Sequence, residues 1–153
     1  MDIFTALRHD HRHATGLLNE LASGEDLSRR ERADLLGELQ SLMIAHNRIE
    51  ETALYEALMR DPGTRDLAFR AQRQHQEAEE LMVQLSGERD DDEWREKLER
   101  LRVVMERHVE EEEAVIFAAI RNSFETGQID QVAAEMRPGG AERISEQFDE
   151  AGR

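Results

Sequence analysis

Apolar residues recur at spacings of three and four along four stretches of this chain. The first stripe reads Phe4, Leu7, His11, Ala14, Leu18, Leu21, and the second Leu35, Leu39, Leu42, His46, Ile49, Ala53, Ala57. The third reads Leu67, Ala71, His75, Ala78, Met82, Leu85, and the fourth Trp94, Leu98, Leu101, Met105, His108, Val115, Ala119. Such spacing keeps each set on one helical face, whereas a strand would alternate every second residue. Turn and cap residues interrupt the pattern at Ser23-Gly24-Glu25-Asp26, Asp61-Pro62-Gly63, Ser86-Gly87 with Asp90-Asp91-Asp92, and Thr126-Gly127. They bound helices over roughly 2–22, 28–60, 64–85 and 91–124, with a short fifth over about 128–136. Short connections make neighbouring helices antiparallel. The expected fold is all-α, an up-down-up-down four-helix bundle over 1–137, followed by a polar C-terminal tail over 138–153.

Each apolar stripe carries one histidine: His11, His46, His75 and His108. The chain also repeats itself. At a shift of 62, His46, Glu50, Glu51, Leu54, Tyr55 and Leu58 fall on His108, Glu112, Glu113, Ile116, Phe117 and Ile120. At a shift of 64, His11, Ala14, Leu17 and Leu21 fall on His75, Ala78, Leu81 and Leu85. Two helical hairpins, each spelling H…HxxxE, are therefore expected to converge. His9 and His13 lie beside the first stripe and are read as surface residues.

A helix turns about 100° per residue, so residues at i and i+4 lie about 40° apart on one face. His46 with Glu50, and His108 with Glu112, then project together into the core. Glu51 and Glu113 point away. A lone core histidine, or one HxxxE pair bonded within its own helix, needs no metal. Four stripe histidines and two matched glutamates do call for one, because buried carboxylates are costly unless paired or metal-bound. Four imidazoles and two carboxylates suit two ions joined by bridging carboxylates and an oxo or hydroxo group. Iron is the expected metal, and the nitrogen–oxygen donor set also admits manganese or zinc.

Composition narrows the function further. The 153 residues carry a formal net charge of −15, which repels nucleic acid and anionic membrane surfaces. The absence of cysteine excludes disulfides and zinc–thiolate sites. The N-terminus lacks a signal-like apolar segment, and the longest apolar run, Ala114–Ile120, is too short to span a bilayer. A cytoplasmic protein is expected, without nucleic-acid or membrane partners. No histidine has a glutamate three residues before it, which argues against the Glu-x-x-His chemistry of ferritin-type bundles.

The ordered set resembles the hemerythrin-like, or HHE cation-binding, domain family. It comprises Asp10-His11, His46-x-x-x-Glu50-Glu51 with Leu54-Tyr55, His75, and His108-x-x-x-Glu112-Glu113 with Ile116-Phe117. The resemblance covers roughly 2–136. It implies a four-helix bundle around a non-haem di-iron centre, with His11, His46, Glu50, His75, His108 and Glu112 as ligands and both glutamates as bridges. It also implies a small oxidant as ligand: peroxide, nitric oxide or dioxygen. A peroxidase- or catalase-like or nitric-oxide-handling oxidoreductase is the leading expectation. The alternative is an oxygen, iron or redox sensor without turnover.

Two departures stand out. Oxygen-carrying relatives place a second histidine one turn after the third-helix ligand, where this chain has Glu79. That makes reversible oxygen carriage doubtful and leaves Glu79 as solvent-facing, supporting or ligating. Many relatives also place proline where this chain has Glu56 and Ala118. Tyr55, the single tyrosine, lies about 140° round an α-helix from Glu50. Packing is the simpler reading for it, and a phenol near the metals the sharper one.

Overall fold

Helices account for nearly all of the described chain, residues 2–24 and 26–123 of the computed structural model, and no strand occurs among them. The first helix is Ile3–Ser23. The second begins as Arg29–Ile49, widens into a π-helical segment at Glu50–Tyr55, and resumes as Glu56–Arg60. The third is Arg65–Gly87. The fourth follows the plan of the second, with Asp91–Glu111, π-helical Glu112–Ile116 and then Phe117–Ser123. The expected fifth helix and the polar tail lie outside the described residues. No helix among those residues is long and apolar enough to cross a membrane.

Local chemistry starts each rod. The Asp2 carboxylate accepts from the Thr5 backbone N–H at 2.9 Å, and Asp90 accepts likewise from Glu93 at 3.0 Å. Ser28 and Glu31 form a reciprocal capping box, each side chain accepting from the other's backbone N–H. Before the third helix, the Thr64 hydroxyl instead donates to the Leu58 carbonyl at 2.7 Å, tying the Asp61-Pro62-Gly63 turn to the second rod.

The first helix packs along the second and the third along the fourth. Contacts between first and fourth, and between second and third, close the bundle. The apolar interior has two parts. One is built from Leu17, Leu21, Leu39, Met43, Leu85, Trp94, Leu98 and their neighbours. The other is built from Phe4, Leu7, Leu54, Tyr55, Leu58, Ile116, Phe117 and Ile120, among others. On every rod the stripe histidine falls between these two sets.

The π segments reset the stripes that the 3.6 period describes. Val115 was expected inside and is 44% exposed, while Ile116 and Phe117 are buried. On the second rod Tyr55 and Leu58 take the core, and Ala57 is only half-buried. Bonding from i to i+5 widens the turn, so residues beyond it rotate relative to an α-helical count.

Leu21 lies in the apolar set of Leu17 and Leu39, nearly three turns along the first helix from His11. Leu21→Ala is expected to cost about 2–5 kcal/mol, the range for emptying a packed leucine site. A lowered denaturant midpoint with unchanged metal content per folded chain would be the signature.

Candidate metal centre

Four histidines from four rods and two glutamates from two rods meet in one buried cluster. His11, His46, His75 and His108 are each 2% exposed, and Glu50 and Glu112 are 0% exposed. Potential ligand atoms of His11, Glu50, His108 and Glu112 all lie within 4.8 Å of one another. His46 Nε2 is 2.6 Å from Glu50 Oε1, and His75 Nε2 is 3.5 Å from the same oxygen. His11 Nε2 is 3.2 Å from Glu112 Oε1, and His108 Nε2 is 3.3 Å from Glu112 Oε2. The rings pair as His11 with His46, centroids 4.9 Å apart, and His75 with His108, 4.5 Å apart. The structure thus brings together all six residues singled out by the sequence. His9 and His13 are exposed, and His13 sits 3.4 Å from Glu38 on the surface.

A second ring of polar groups holds the imidazoles from behind. His46 Nδ1 donates to Asp10 at 2.9 Å, His75 Nδ1 to Glu51 at 3.0 Å, and His108 Nδ1 to the Gln74 amide oxygen at 2.8 Å. His11 Nδ1 lies 3.8 Å from Glu113. An imidazole whose Nδ1–H is engaged presents Nε2 inward as a lone pair, the usual arrangement of a metal-ligating histidine. Glu51 and Glu113 do leave their own HxxxE face, as the helical count requires, and reach a histidine of another rod. These supporting residues obey the same repeat, since Asp10 pairs with Gln74 at a shift of 64 and Glu51 with Glu113 at 62. That internal match was the signal available in the sequence for Gln74, which residue type alone does not mark.

Tyr55 also belongs to the site. The π turn brings a residue five beyond Glu50 back towards the Glu50 face. The Tyr55 hydroxyl donates to Glu112 Oε2 and lies 3.2 Å from His75 Nε2. Glu79 is exposed and accepts from Asn47 Nδ2 at 3.4 Å, which puts it on the solvent side of the third rod.

Buried carboxylates dominate the electrostatics of the cluster. Burial pulls His46 down, but the charge of Glu50 and the hydrogen bond to Asp10 more than compensate and raise it to about 10. Burial opposes His75 too, yet Glu50 and Glu51 raise it to about 9. Burial pushes the Glu112 carboxyl up, but its contacts with Glu50, His108 and His11 hold it well below the usual range. For Tyr55, burial and the carboxylates of Glu50 and Glu112 push the phenol well above 10. The buried carboxylates thus favour positive charge on His46 and His75. Even so, both nitrogens of His11, Nε2 of His46, both oxygens of Glu50 and Oε1 of Glu112 are buried with no aligned hydrogen bond. Inward-facing nitrogen and oxygen atoms crowded together without aligned hydrogen bonds fit metal ions, and their chemistry suits iron or manganese.

Comparison with known proteins agrees in kind. The family model of the hemerythrin HHE cation binding domain matches residues 2–120. A DNA nickase of Nostoc sp. (strain PCC 7120) is 28% identical over 138 residues, covering 90% of this chain and 38% of that protein. The chain therefore spans well under half the length of this curated relative.

The raised histidines fix the sign of a pH dependence. A group whose folded pKa lies above its unfolded value stabilises fully below the unfolded value, about 6.5 for histidine. That contribution is lost as pH rises through the folded values of about 9 and about 10. Metal-free protein is thus expected to lose stability from about pH 7 to pH 10, read as a falling urea midpoint. Metal uptake is expected to release protons and to weaken as pH falls, which pH-stat titration would measure.

Proposed function

The chain belongs to the hemerythrin HHE cation-binding domain family, and we propose that its six converging side chains hold a pair of iron ions that bind or turn over small oxidants. Peroxide, nitric oxide and dioxygen are the candidate ligands. The observation carrying this reading is the meeting of His11, His46, Glu50, His75, His108 and Glu112 as buried groups, several of whose inward atoms have no hydrogen-bond partner. One ion would be held by His11 and His46 and the other by His75 and His108. Glu50 and Glu112 would bridge them, with an oxo or hydroxo group completing the pair. The same reading takes the four rods as up-down-up-down. Iron would supply Lewis acidity and electrons. The protein's part is to fix the imidazole tautomers through Asp10, Glu51 and Gln74 and to keep bulk water from the cluster.

Exposed Glu79 leaves the third rod with a single imidazole at the site. That favours turnover or sensing over reversible oxygen carriage. The nickase activity of the Nostoc relative is not carried across, because the match covers 38% of that protein. A net charge of −15 also opposes binding to a polyphosphate.

Anaerobic loading is expected to give about two irons per chain, as metal pairs in such carboxylate bundles do, and chelation to lower the thermal midpoint. Steady-state consumption of peroxide or nitric oxide should fall at least about tenfold in His46→Ala and His108→Ala, on the scale of losing a ligand or its support. Binding without turnover would favour a sensor. Protein that takes up no metal would end both versions.

A further inference from the structure

We propose that a recess at the end of the bundle where the second helix starts binds a small organic carboxylate, one acidic group on an apolar body about the size of one ring. Its volume is about 330 Å³, at the lower end of the range for small-molecule sites. The start of the second helix, the end of the third and the start of the fourth enclose it. Leu36, Leu85 and Trp94 supply buried apolar surface, and Arg29, Arg32 and Arg89 supply positive charge. Trp94 and His108 share one helix and stand about 21 Å apart along its rise. The recess is thus separate from the histidine cluster, and its occupancy does not depend on the metal.

A chain with a net charge of −15 has an excess of carboxylates, yet the arginines of this recess are poorly matched. Arg32 is held in place: Nη1 donates to Asp91 at 3.0 Å, and the guanidinium lies 4.5 Å from the centre of the Trp94 ring. Its Nε is nevertheless buried and meets no acceptor, a costly state for a charged donor. Glu88 is already committed to Lys97 and to the backbone N–H groups of Arg89 and Asp90. The Arg29 guanidinium reaches the Arg89 carbonyl at 3.4 Å, and neither arginine has a carboxylate partner among the described residues. Two exposed guanidiniums therefore stand beside an apolar floor without acidic partners. A guanidinium fork matches the planar geometry of a carboxylate. The leucines and the indole favour a ligand with an apolar body over a bare inorganic anion, because binding would take that surface out of water.

Benzoate is the probe, with benzyl alcohol as its uncharged analogue and inorganic phosphate as an anion without the apolar body. Trp94 is the single tryptophan, so its indole N–H gives one resonance of its kind in a proton–nitrogen NMR spectrum. Titrating the full chain with benzoate should move that resonance saturably, with a Kd of about 1 mM or tighter. Benzyl alcohol and phosphate should each bind at least about tenfold more weakly, on the scale of one lost charge-assisted hydrogen bond or of the lost apolar contact. The double variant Arg29→Gln, Arg89→Gln should weaken benzoate binding by a similar factor, about tenfold, and keep the thermal midpoint, since both side chains are exposed. Arg30→Gln, exposed on the same helix outside the recess, should leave the benzoate Kd unchanged. An indole resonance that benzoate does not move saturably would overturn the proposal. So would equal affinity for benzyl alcohol or phosphate, or full benzoate affinity in the double variant.

Discussion

Two carboxylates sealed inside a helical bundle set the terms for the rest of this molecule. Removing an ionised carboxylate from water costs several kcal/mol even after relaxation, and here Glu50 and Glu112 are sealed in together. Hydrogen bonds such as that from Tyr55 offset part of this, and positive charge offsets it most strongly. Histidine supplies it flexibly, as an imidazolium when metal is absent and as a neutral ligand beside a cation. The need for one imidazole from every rod explains why the site lies between two apolar sets rather than at an end of the bundle. Removing any one of the six would leave its neighbours buried and under-compensated, so stability and chemistry are coupled at this layer.

Much of this was legible in the sequence because the relevant signals are periodic. The 3.6 period located the rods to within a residue or two, and the shifts of 62 and 64 paired the six central side chains. The same arithmetic misjudged Tyr55 and Val115. Both lie in or beside a π turn, where counting 100° per residue no longer holds, and nothing in Glu50–Tyr55 or Glu112–Ile116 announces the wider winding. Glu51 and Glu113 were read as pointing away. The direction was right for their own helix, but their destination on another rod depends on how the helices pack. Gln74 is marked only by its repeat position opposite Asp10, because an amide carries no chemical signature of its own until it is seen against His108 Nδ1.

The repeat is also informative where it fails. Asp10 behind His46 becomes Gln74 behind His108, so one imidazole leans on a carboxylate and its twin on a neutral amide. Tyr55 becomes Phe117, so one wall of the cavity carries a hydroxyl and the other does not. The Gln74 amide N–H in turn donates to Glu111 at 3.0 Å, and Glu111 meets Arg70 at the surface at 2.6 Å. A chain of polar contacts thus runs from solvent to His108. A near-symmetric frame with unlike halves is suited to giving two bound ions different tasks.

The protein has one tyrosine and one tryptophan, and they sit in different parts of the interior. Tyr55 belongs to the apolar set that borders the histidines on one side, and Trp94 to the set on the other. Nature has in effect placed a separate optical label at each end of the bundle. Ultraviolet difference spectra and indole emission can therefore be followed during one melt, revealing whether the two ends come apart as a single unit or in sequence.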